Sequence, residues 1–321
     1  MVIDAAGESL RVVFFGTPDF AVPTLQQLLT SRHTVCGVVT QPDRPRGRGQ
    51  KISDNPVKAV AQSHSLPVFQ PERLRPPDVA RTIADWRPDL GVVAAYGKLI
   101  PERLLTIPRF GLINVHASLL PKYRGAAPVH RAIMAGERAT GVTIMRVVER
   151  LDAGGMFATV TRPIGPDETS TVVERDLAQL GARLLVTVVD HIAAGHAREE
   201  PQDEARATYA ARLTKEEGLI DWSLPAADIH NRVRGLYPWP HAYTFLDGAR
   251  LIVLKTHVRE VAADAEPGMI VDVSRDALRV ATGDRWSLAI DQVQPEGKRP
   301  MSTREYLAGR PVRSGMRFGA S

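Results

Sequence analysis

The first half of the chain alternates short apolar runs with amphipathic stretches, and this alternation restricts the fold more than any other feature. Runs such as Val12–Phe15 and Gly91–Tyr96 are apolar on both faces. Strands have this character when helices cover both sides of a parallel sheet. Strands that alternate with helices in this way predict an α/β fold with a Rossmann-like open, mostly parallel sheet.

Six strands and four helices are predicted in this half of the chain. The predicted strands are Arg11–Phe15, Thr34–Thr40, Asp89–Tyr96, Gly111–His116, Gly141–Val148 and Met156–Ile164. The predicted helices are Ala21–Thr30, Val57–His64, Val129–Ala135 and Ser170–Ala194. Together they predict one α/β domain over residues 1–195.

The remainder of the chain has a different pattern. A polar stretch without periodicity predicts a linker over residues 196–212. Beyond it, Asp247-Gly248 between two β-rich runs is a strong hairpin signal, and Ser302-Thr-Arg-Glu305 is a capping box that should begin a short helix. Several short strands predict a small β-barrel over residues 213–321, with an oligonucleotide-binding (OB-like) type as one option. The additional predicted strands are Met269–Val273, Leu278–Thr282 and Trp286–Gln292.

Composition narrows the functional classes. A chain of 321 residues, 44% of them hydrophobic, can bury a large core without disulfides, and its single cysteine, Cys36, leaves no internal disulfide to form. No window approaches the roughly 18 continuous apolar residues of a membrane helix, and the N-terminus lacks a signal-peptide pattern. We therefore expect a cytoplasmic protein. The net charge of +5 is compatible with an anionic partner.

Two polar residues mark the end of the predicted strand Gly111–His116. Asn114 and His116 are two residues apart, so both side chains point to the same face of the sheet. The carboxyl end of a strand is the ligand-binding edge of an open α/β sheet. An amide donor beside an imidazole suits a reaction that builds negative charge on a carbonyl oxygen while a proton moves. The same pair can also simply terminate a strand through hydrogen bonds.

A third polar group, Asp152, follows the predicted strand Gly141–Val148 and precedes Gly154 and Gly155. Glycines leave the backbone free to turn tightly, and an Asp in this position is often only a turn residue. If the loop returns to the same sheet edge, the carboxylate can orient an imidazole or pair with it. The spacing leaves both interpretations open.

The segment Asp43–Lys51 places three arginines and a lysine among proline and glycine residues. Such a composition excludes a regular helix and predicts an exposed basic loop after the second strand. The loop can be a solvated surface, or it can contact the phosphates and bases of a nucleic acid. No G-x-G-x-x-G fingerprint or P-loop occurs in the chain, which disfavours a nicotinamide enzyme or a nucleoside triphosphatase.

These segments together resemble the folate-dependent formyltransferases. Asn114–Pro121 followed by Tyr123–Pro128 is similar to the signature of that family, and Leu151–Gly154 is similar to its second catalytic loop. Three further segments extend the resemblance: Phe15–Phe20, Thr40–Pro45 and Val92–Gly97. In one place the chain departs from the pattern, because Gly155 stands where many relatives carry an aspartate.

The resemblance implies an enzyme that uses 10-formyltetrahydrofolate as cosubstrate and needs no metal. It is strongest to members that formylate the α-amino group of initiator methionyl-tRNA, which would support translation initiation. The catalytic residues it implies are Asn114, His116 and Asp152. The folate contacts it implies are Ser118, Leu119, Leu120 and Pro121. The tRNA contacts it implies are Arg44, Arg46, Arg48 and Lys51, with the domain over residues 213–321 also binding tRNA.

Three alternatives remain open. A formyltransferase with a small acceptor, such as glycinamide ribonucleotide or an amino sugar, would share the catalytic core, and so would a formyl-folate hydrolase. The basic loop and the second domain favour the tRNA acceptor over a small acceptor, and the hydrolases differ in the groups that admit water. A non-catalytic RNA-binding protein is disfavoured by the joint presence of Asn114, His116 and Asp152. No membrane and no obligate protein partner is implied.

Overall fold

The structure, a computed structural model, describes residues 8–43, 45–46, 51–52, 55–259 and 261–319, with 45–46 and 51–52 described by their backbone alone. The chain forms two compact units. The first unit contains the residues up to Pro128, Thr140–Arg162 and Glu174–Ala210. The second contains Val129–Ala139, Pro163–Val173 and the residues from Ala211 onward.

The described elements follow the predicted order, and every predicted strand and helix is confirmed to within three residues at its ends. The strands are β1 (Arg11–Gly16), β2 (Thr34–Val39), β3 (Pro45–Arg46), β4 (Lys51–Ile52), β5 (Val68–Phe69), β6 (Leu90–Ala94), β7 (Leu112–His116), β8 (Arg124–Gly125), β9 (Ala139–Arg146), β10 (Met156–Pro163), β11 (Tyr209–Ala210), β12 (Ala242–Leu246), β13 (Ala249–Arg259), β14 (Ile270–Val273), β15 (Leu278–Ala281), β16 (Ser287–Pro295) and β17 (Met301–Ser302). The helices are α1 (Val22–Thr30), α2 (Pro56–Ser63), α3 (Pro77–Asp85), α4 (Glu102–Leu105), α5 (Pro128–Met134), α6 (Ser170–Ala193), α7 (Ala226–Gly235) and α8 (Thr303–Ala308).

The first unit is built on a seven-stranded sheet in the order β10-β9-β7-β6-β1-β2-β5. The five strands from β7 to β5 run parallel to one another, and β9 runs antiparallel to β7. The predicted Rossmann-like, mostly parallel α/β sheet is therefore confirmed. Because parallel strands share a direction, β1, β2, β6 and β7 all end at the same edge of the sheet.

Helices pack on the sheet of the first unit because its strands are apolar on both faces. On one side, Val13 and Phe15 of β1 belong to a buried cluster with Ile83 of α3. On the other side α6 approaches closely, since a Cβ atom added at Gly181 would lie 2.8 Å from Val115 Cγ1. Val115 therefore faces α6, and the alternation of a strand turns its neighbours Asn114 and His116 away from that helix.

The second unit contains an antiparallel sheet in the order β12-β13-β16-β15-β14, with β17 paired to β16. Asp247 and Gly248 both have positive φ, 51° and 73°, as a two-residue hairpin turn requires. The predicted capping box is present, with the Ser302 side chain accepting from the Glu305 backbone N–H. A C-terminal antiparallel β domain is confirmed, and its assignment to the OB-like barrel type stays a prediction.

Among the residues the structure describes, no helix is both long enough and apolar enough to cross a membrane.

Candidate active site

Loops at the carboxyl edge of the parallel strands are tied to one another by side chains. Gln41, in the loop after β2, donates from Nε2 to the carbonyl oxygen of Tyr96, in the loop after β6, at 2.7 Å. The turn beyond Tyr96 needs a glycine, because Gly97 has a φ of +81° and an added Cβ would lie 2.7 Å from Gln41 Nε2. The edge where the sequence predicted a site is therefore held by specific hydrogen bonds.

His116 lies at the end of β7 and is 5% exposed. Its Nε2 is 3.0 Å from the carbonyl oxygen of Tyr123. A carbonyl oxygen only accepts hydrogen bonds, so Nε2 carries the hydrogen and Nδ1 is the nitrogen that can gain or lose a proton. Nδ1 faces Asp152, with 3.6 Å to Oδ2. That separation is too long for a direct hydrogen bond and short enough for an ion pair when the imidazole is protonated.

Asp152 lies in the loop between β9 and β10, with a positive φ of 47°. Its Oδ2 accepts a hydrogen bond from the backbone N–H of Gly125 at 2.8 Å. The loop also needs Gly154, because a Cβ atom there would lie 2.0 Å from the carbonyl oxygen of Arg146. The structure thus brings together an imidazole and a carboxylate that are 36 residues apart in the sequence.

Asn114 is half-buried on β7, two residues before His116 and on the same face of the strand. The backbone register places it beside Val93 of β6 and Met145 of β9. It therefore lies in the middle of the sheet at its carboxyl edge. The catalytic roles of Asn114, His116 and Asp152 stay predictions.

The turn after β7 carries the four predicted folate contacts. Ser118 is fully buried, and its hydroxyl donates to the carbonyl oxygen of Lys122 at 2.6 Å. The hydroxyl of Thr143 donates to the carbonyl oxygen of Ser118 at 2.8 Å and accepts from the backbone N–H of Leu120 at 3.2 Å. Leu120 is also buried, whereas Leu119 and Pro121 keep part of their surface exposed. A folate contact at Ser118, Leu119, Leu120 and Pro121 stays a prediction.

Two of the four predicted tRNA contacts, Arg44 and Arg48, lie outside the described residues. Arg46 and Lys51 occupy paired positions in the antiparallel strands β3 and β4. Two basic residues are thus adjacent on one short hairpin. Contact of Arg44, Arg46, Arg48 and Lys51 with RNA stays a prediction.

A buried charge lies directly beside this site, and the sequence alone did not reveal it. Arg124, the residue before Gly125, is fully buried and forms a two-pronged ion pair with Glu204, at 2.9 Å and 3.1 Å. Arg150 adds a third contact to the same carboxylate at 2.7 Å. The hydrogen bond that Glu204 accepts from Arg124 has the largest effect on its carboxyl, followed by the one from Arg150, and together they lower the pKa of Glu204 to about 2. Glu204 lies in the stretch predicted to be a linker, where a polar sequence gave no signal of a fixed contact.

Two further observations concern groups that could carry other chemistry. Cys36 is buried in the first unit, and burial raises the pKa of its thiol, which suits the packing role of an unreactive thiol. Within the described ranges, no group of three or more His, Cys, Asp or Glu side chains is arranged to hold a metal ion.

Solved structures share this fold. A sugar 3N-formyl transferase, WlaRD, solved in the presence of dTDP and 5-N-formyl-THF, superimposes with a TM-score of 0.68 at 15% identity and covers 91% of this chain and 100% of its own. HypX from Aquifex aeolicus in complex with tetrahydrofolic acid has a TM-score of 0.62 at 17% identity over 96% of this chain. This chain spans about half of HypX, 49% of its length. At these identities the likeness concerns the fold.

Sequence relatives are much closer. A methionyl-tRNA formyltransferase of Methylococcus capsulatus is 47% identical over 310 residues, which cover 97% of this chain and 100% of the relative. One of Bacillus licheniformis is 46% identical over 309 residues, 96% of this chain and 98% of the relative. The profile described as "Formyl transferase" matches residues 10–189, and "Formyl transferase, C-terminal domain" matches residues 212–311. With both family domains present in order and near full-length agreement with curated members, this chain belongs to the formyl transferase family.

Proposed function

We propose that this chain transfers the formyl group of 10-formyltetrahydrofolate to the α-amino group of initiator methionyl-tRNA, in the cytoplasm, and so supports translation initiation. The observation that carries the proposal is the approach of His116 to Asp152 at the carboxyl edge of the sheet, with Asn114 on the same strand face. The near full-length similarity to relatives named methionyl-tRNA formyltransferase selects the acceptor.

In the proposed reaction the amine nitrogen attacks the formyl carbon and forms a tetrahedral intermediate. The new C–N bond is made at methionine, and the bond from the same carbon to N10 of the folate then breaks. Negative charge develops on the former carbonyl oxygen. The Asn114 amide would donate a hydrogen bond to that oxygen, and one such preorganised donor is worth about 3 kcal/mol of barrier.

The hydrogen bond between His116 Nε2 and the carbonyl oxygen of Tyr123 supports Nδ1 as the nitrogen that would transfer the proton. Neutral His116 would take the amine proton at Nδ1, and the resulting imidazolium would be stabilised by the Asp152 carboxylate that faces it. From Nδ1 the imidazolium can donate to the charged oxygen and return the proton to N10 as tetrahydrofolate leaves. Positioned proton transfer of this kind contributes roughly 10²–10⁴-fold to a rate.

Acceptor binding would involve the basic hairpin. Lysine and arginine contacts to phosphate release counterions, so tRNA affinity should fall with salt in proportion to the number of contacts. The proposed contacts are Arg44, Arg46, Arg48 and Lys51. The C-terminal β domain would provide further RNA-binding surface.

The test is a formyl-transfer assay with 10-formyltetrahydrofolate and four reactions: charged initiator tRNA, glycinamide ribonucleotide, an amino-sugar nucleotide, and no acceptor. The proposal expects formylated product with the charged tRNA only. Faster transfer to either small acceptor would assign the chain to another branch of the family. Release of formate without any acceptor, and no transfer to tRNA, would indicate a hydrolase.

A further inference from the structure

The polar segment 196–210 lies along the first unit, beside the loop that carries Asp152. Glu200 forms an isolated antiparallel bridge with Met156, the first residue of β10. Further on, β11 pairs in parallel with β8, so Tyr209 lies beside Arg124. This segment therefore has fixed contacts with both of the loops that meet at the candidate active site.

Gln202, in the middle of the segment, has every hydrogen-bonding position of its side-chain amide filled. Nε2 donates to the carbonyl oxygens of Asp152 and Gly154, both at 2.8 Å. Oε1 accepts from Arg124 Nε at 3.0 Å and Nη2 at 2.8 Å. An amide has two donor hydrogens and two acceptor lone pairs, so no capacity is left over. These partners also determine the orientation of the amide. A flipped amide would place Oε1 against the carbonyl oxygens of Asp152 and Gly154, and Nε2 against the N–H groups of Arg124.

The group that anchors Gln202 is itself rigidly held. Arg124 is fully buried, and its ion pair with Glu204 compensates the cost of burying the charge. Its backbone neighbour Gly125 donates the N–H that the Asp152 carboxylate accepts. The Asp152 loop is thus held in two ways. The Gly125 N–H binds the Asp152 carboxylate directly, and Arg124 acts through Gln202, which binds the carbonyl oxygens of Asp152 and Gly154.

The loop needs such support because of its backbone. Asp152 has a φ of +47°, in the left-handed region that a residue with a side chain enters at a cost. A different backbone conformation at this residue would redirect the carboxylate away from His116. The two carbonyl groups that Gln202 binds flank the Asp152–Ala153–Gly154 turn, and holding both of them fixes the turn.

We infer that Gln202 is a positioning residue for formyl transfer: its amide couples the buried Arg124 to the Asp152 turn and so directs the carboxylate at His116. This inference rests on the function proposed above, in which Asp152 and His116 move the proton. It gives the 196–210 segment a role in the chemistry of the first unit.

Gln202→Glu is the informative variant because it keeps the size of the side chain and the oxygen that accepts from Arg124. It replaces the NH2 donor with an oxygen, which would face the carbonyl oxygens of Asp152 and Gly154 without a hydrogen to donate. Gln202→Met removes donor and acceptor together without adding charge and serves if the first variant folds poorly. Asp203→Asn is the matched control. Asp203 is exposed and accepts from the Ala205 N–H, which an asparagine can also do.

Two measurements test the inference. The Gly125 amide reports Asp152 directly, and its hydrogen exchange should become about tenfold faster in Gln202→Glu, with unchanged exchange in the central strands. In steady-state formyl transfer, kcat should fall by about 10²-fold, the loss typical of a small misplacement, while KM for both substrates stays within a factor of about two. Asp203→Asn should match the unmodified protein in both.

Unchanged exchange at Gly125 would overturn the inference whatever the activity. Faster exchange with normal kcat would show that the contact holds the loop without serving the reaction, and would also overturn it. If the unmodified chain shows no formyl transfer at all, the proposed function fails first and the inference with it. Faster exchange together with a selective loss of kcat, in either Gln202 variant, supports it.

Discussion

Replacing Gly154 by alanine tests how closely the Asp152 loop is fitted. The added Cβ would lie 2.0 Å from the carbonyl oxygen of Arg146 and 2.8 Å from its carbonyl carbon. Carbon and carbonyl oxygen approach to about 3.3 Å, so the loop would have to move by about 1.3 Å. The obstacle is backbone at the end of β9, which cannot rotate away. The movement would carry Asp152, two residues earlier in the same loop, with it.

A displacement of about 1 Å at catalytic groups costs about 10²-fold in rate, which corresponds to about 2.7 kcal/mol of barrier. We therefore expect Gly154→Ala to lower kcat about 10²-fold in formyl transfer to methionyl-tRNA. Gly155→Ala is the matched control. The atoms nearest to its added Cβ belong to the Glu199 side chain. Oε2, at 2.9 Å, is the far end of a partly exposed side chain and can rotate away, and Glu199 Cβ, at 3.0 Å, needs an adjustment of only a few tenths of an ångström. Equal rates for Gly154→Ala and the unmodified chain would refute the fit described for this loop.

Three further predictions concern stability and RNA binding. Burial raises the pKa of Glu174 to about 7, so between pH 4.5 and 7 the carboxyl stays protonated in the folded state and ionises in the unfolded state. The unfolding free energy should therefore decline by up to about 3 kcal/mol as the pH rises from 4.5 to 7. In urea titrations, Glu174→Gln should remove that decline. Ser302→Ala removes the capping box of α8 and should cost about 1 kcal/mol in the same titrations, with an unchanged value contradicting the cap. Arg46→Ala and Lys51→Ala should each reduce the salt slope of tRNA binding by about one, and unchanged slopes would exclude the hairpin from the interface.

The sequence predicts the framework of this fold well where the signal is local. Strands such as Val12–Phe15 are apolar on both faces because helices cover both sides of the sheet. The Asp247-Gly248 hairpin depends on positive φ at both residues, which few residue types adopt readily. The capping box depends on the side chains of Ser302 and Glu305, three residues apart. Each of these signals is contained in a few neighbouring residues.

Three helices were not predicted from the sequence. The helices α3, α4 and α7 all begin at or directly after a proline, which normally suggests a turn, although proline is well tolerated at the start of a helix. Helix α7 also contains charged residues whose burial only the folded state reveals: Arg234 is 6% exposed because Asn231 and the carbonyl oxygens of Gly165 and Glu168 accept its hydrogens.

The candidate site could be predicted in part for the same reason. Asn114 and His116 share a strand face through a two-residue spacing, which is local. The approach of Asp152 to His116 was implied only by resemblance to a family. The supporting residues Arg124, Gln202 and Glu204 form contacts across about 50 to 80 residues of chain. Gln202 and Glu204 lie in the polar stretch that the sequence predicts to be a linker. No periodicity encodes such contacts.

The most direct test of the account is the single-turnover rate of formyl transfer from 10-formyltetrahydrofolate to methionyl-tRNA by Asp152→Asn. Asparagine can still accept the Gly125 N–H, so the loop keeps its anchor while the negative charge facing His116 is lost. We expect the rate to fall by roughly 10²–10⁴-fold with tRNA binding unchanged. A rate near that of the unmodified chain would contradict the proposed role of the His116–Asp152 pair.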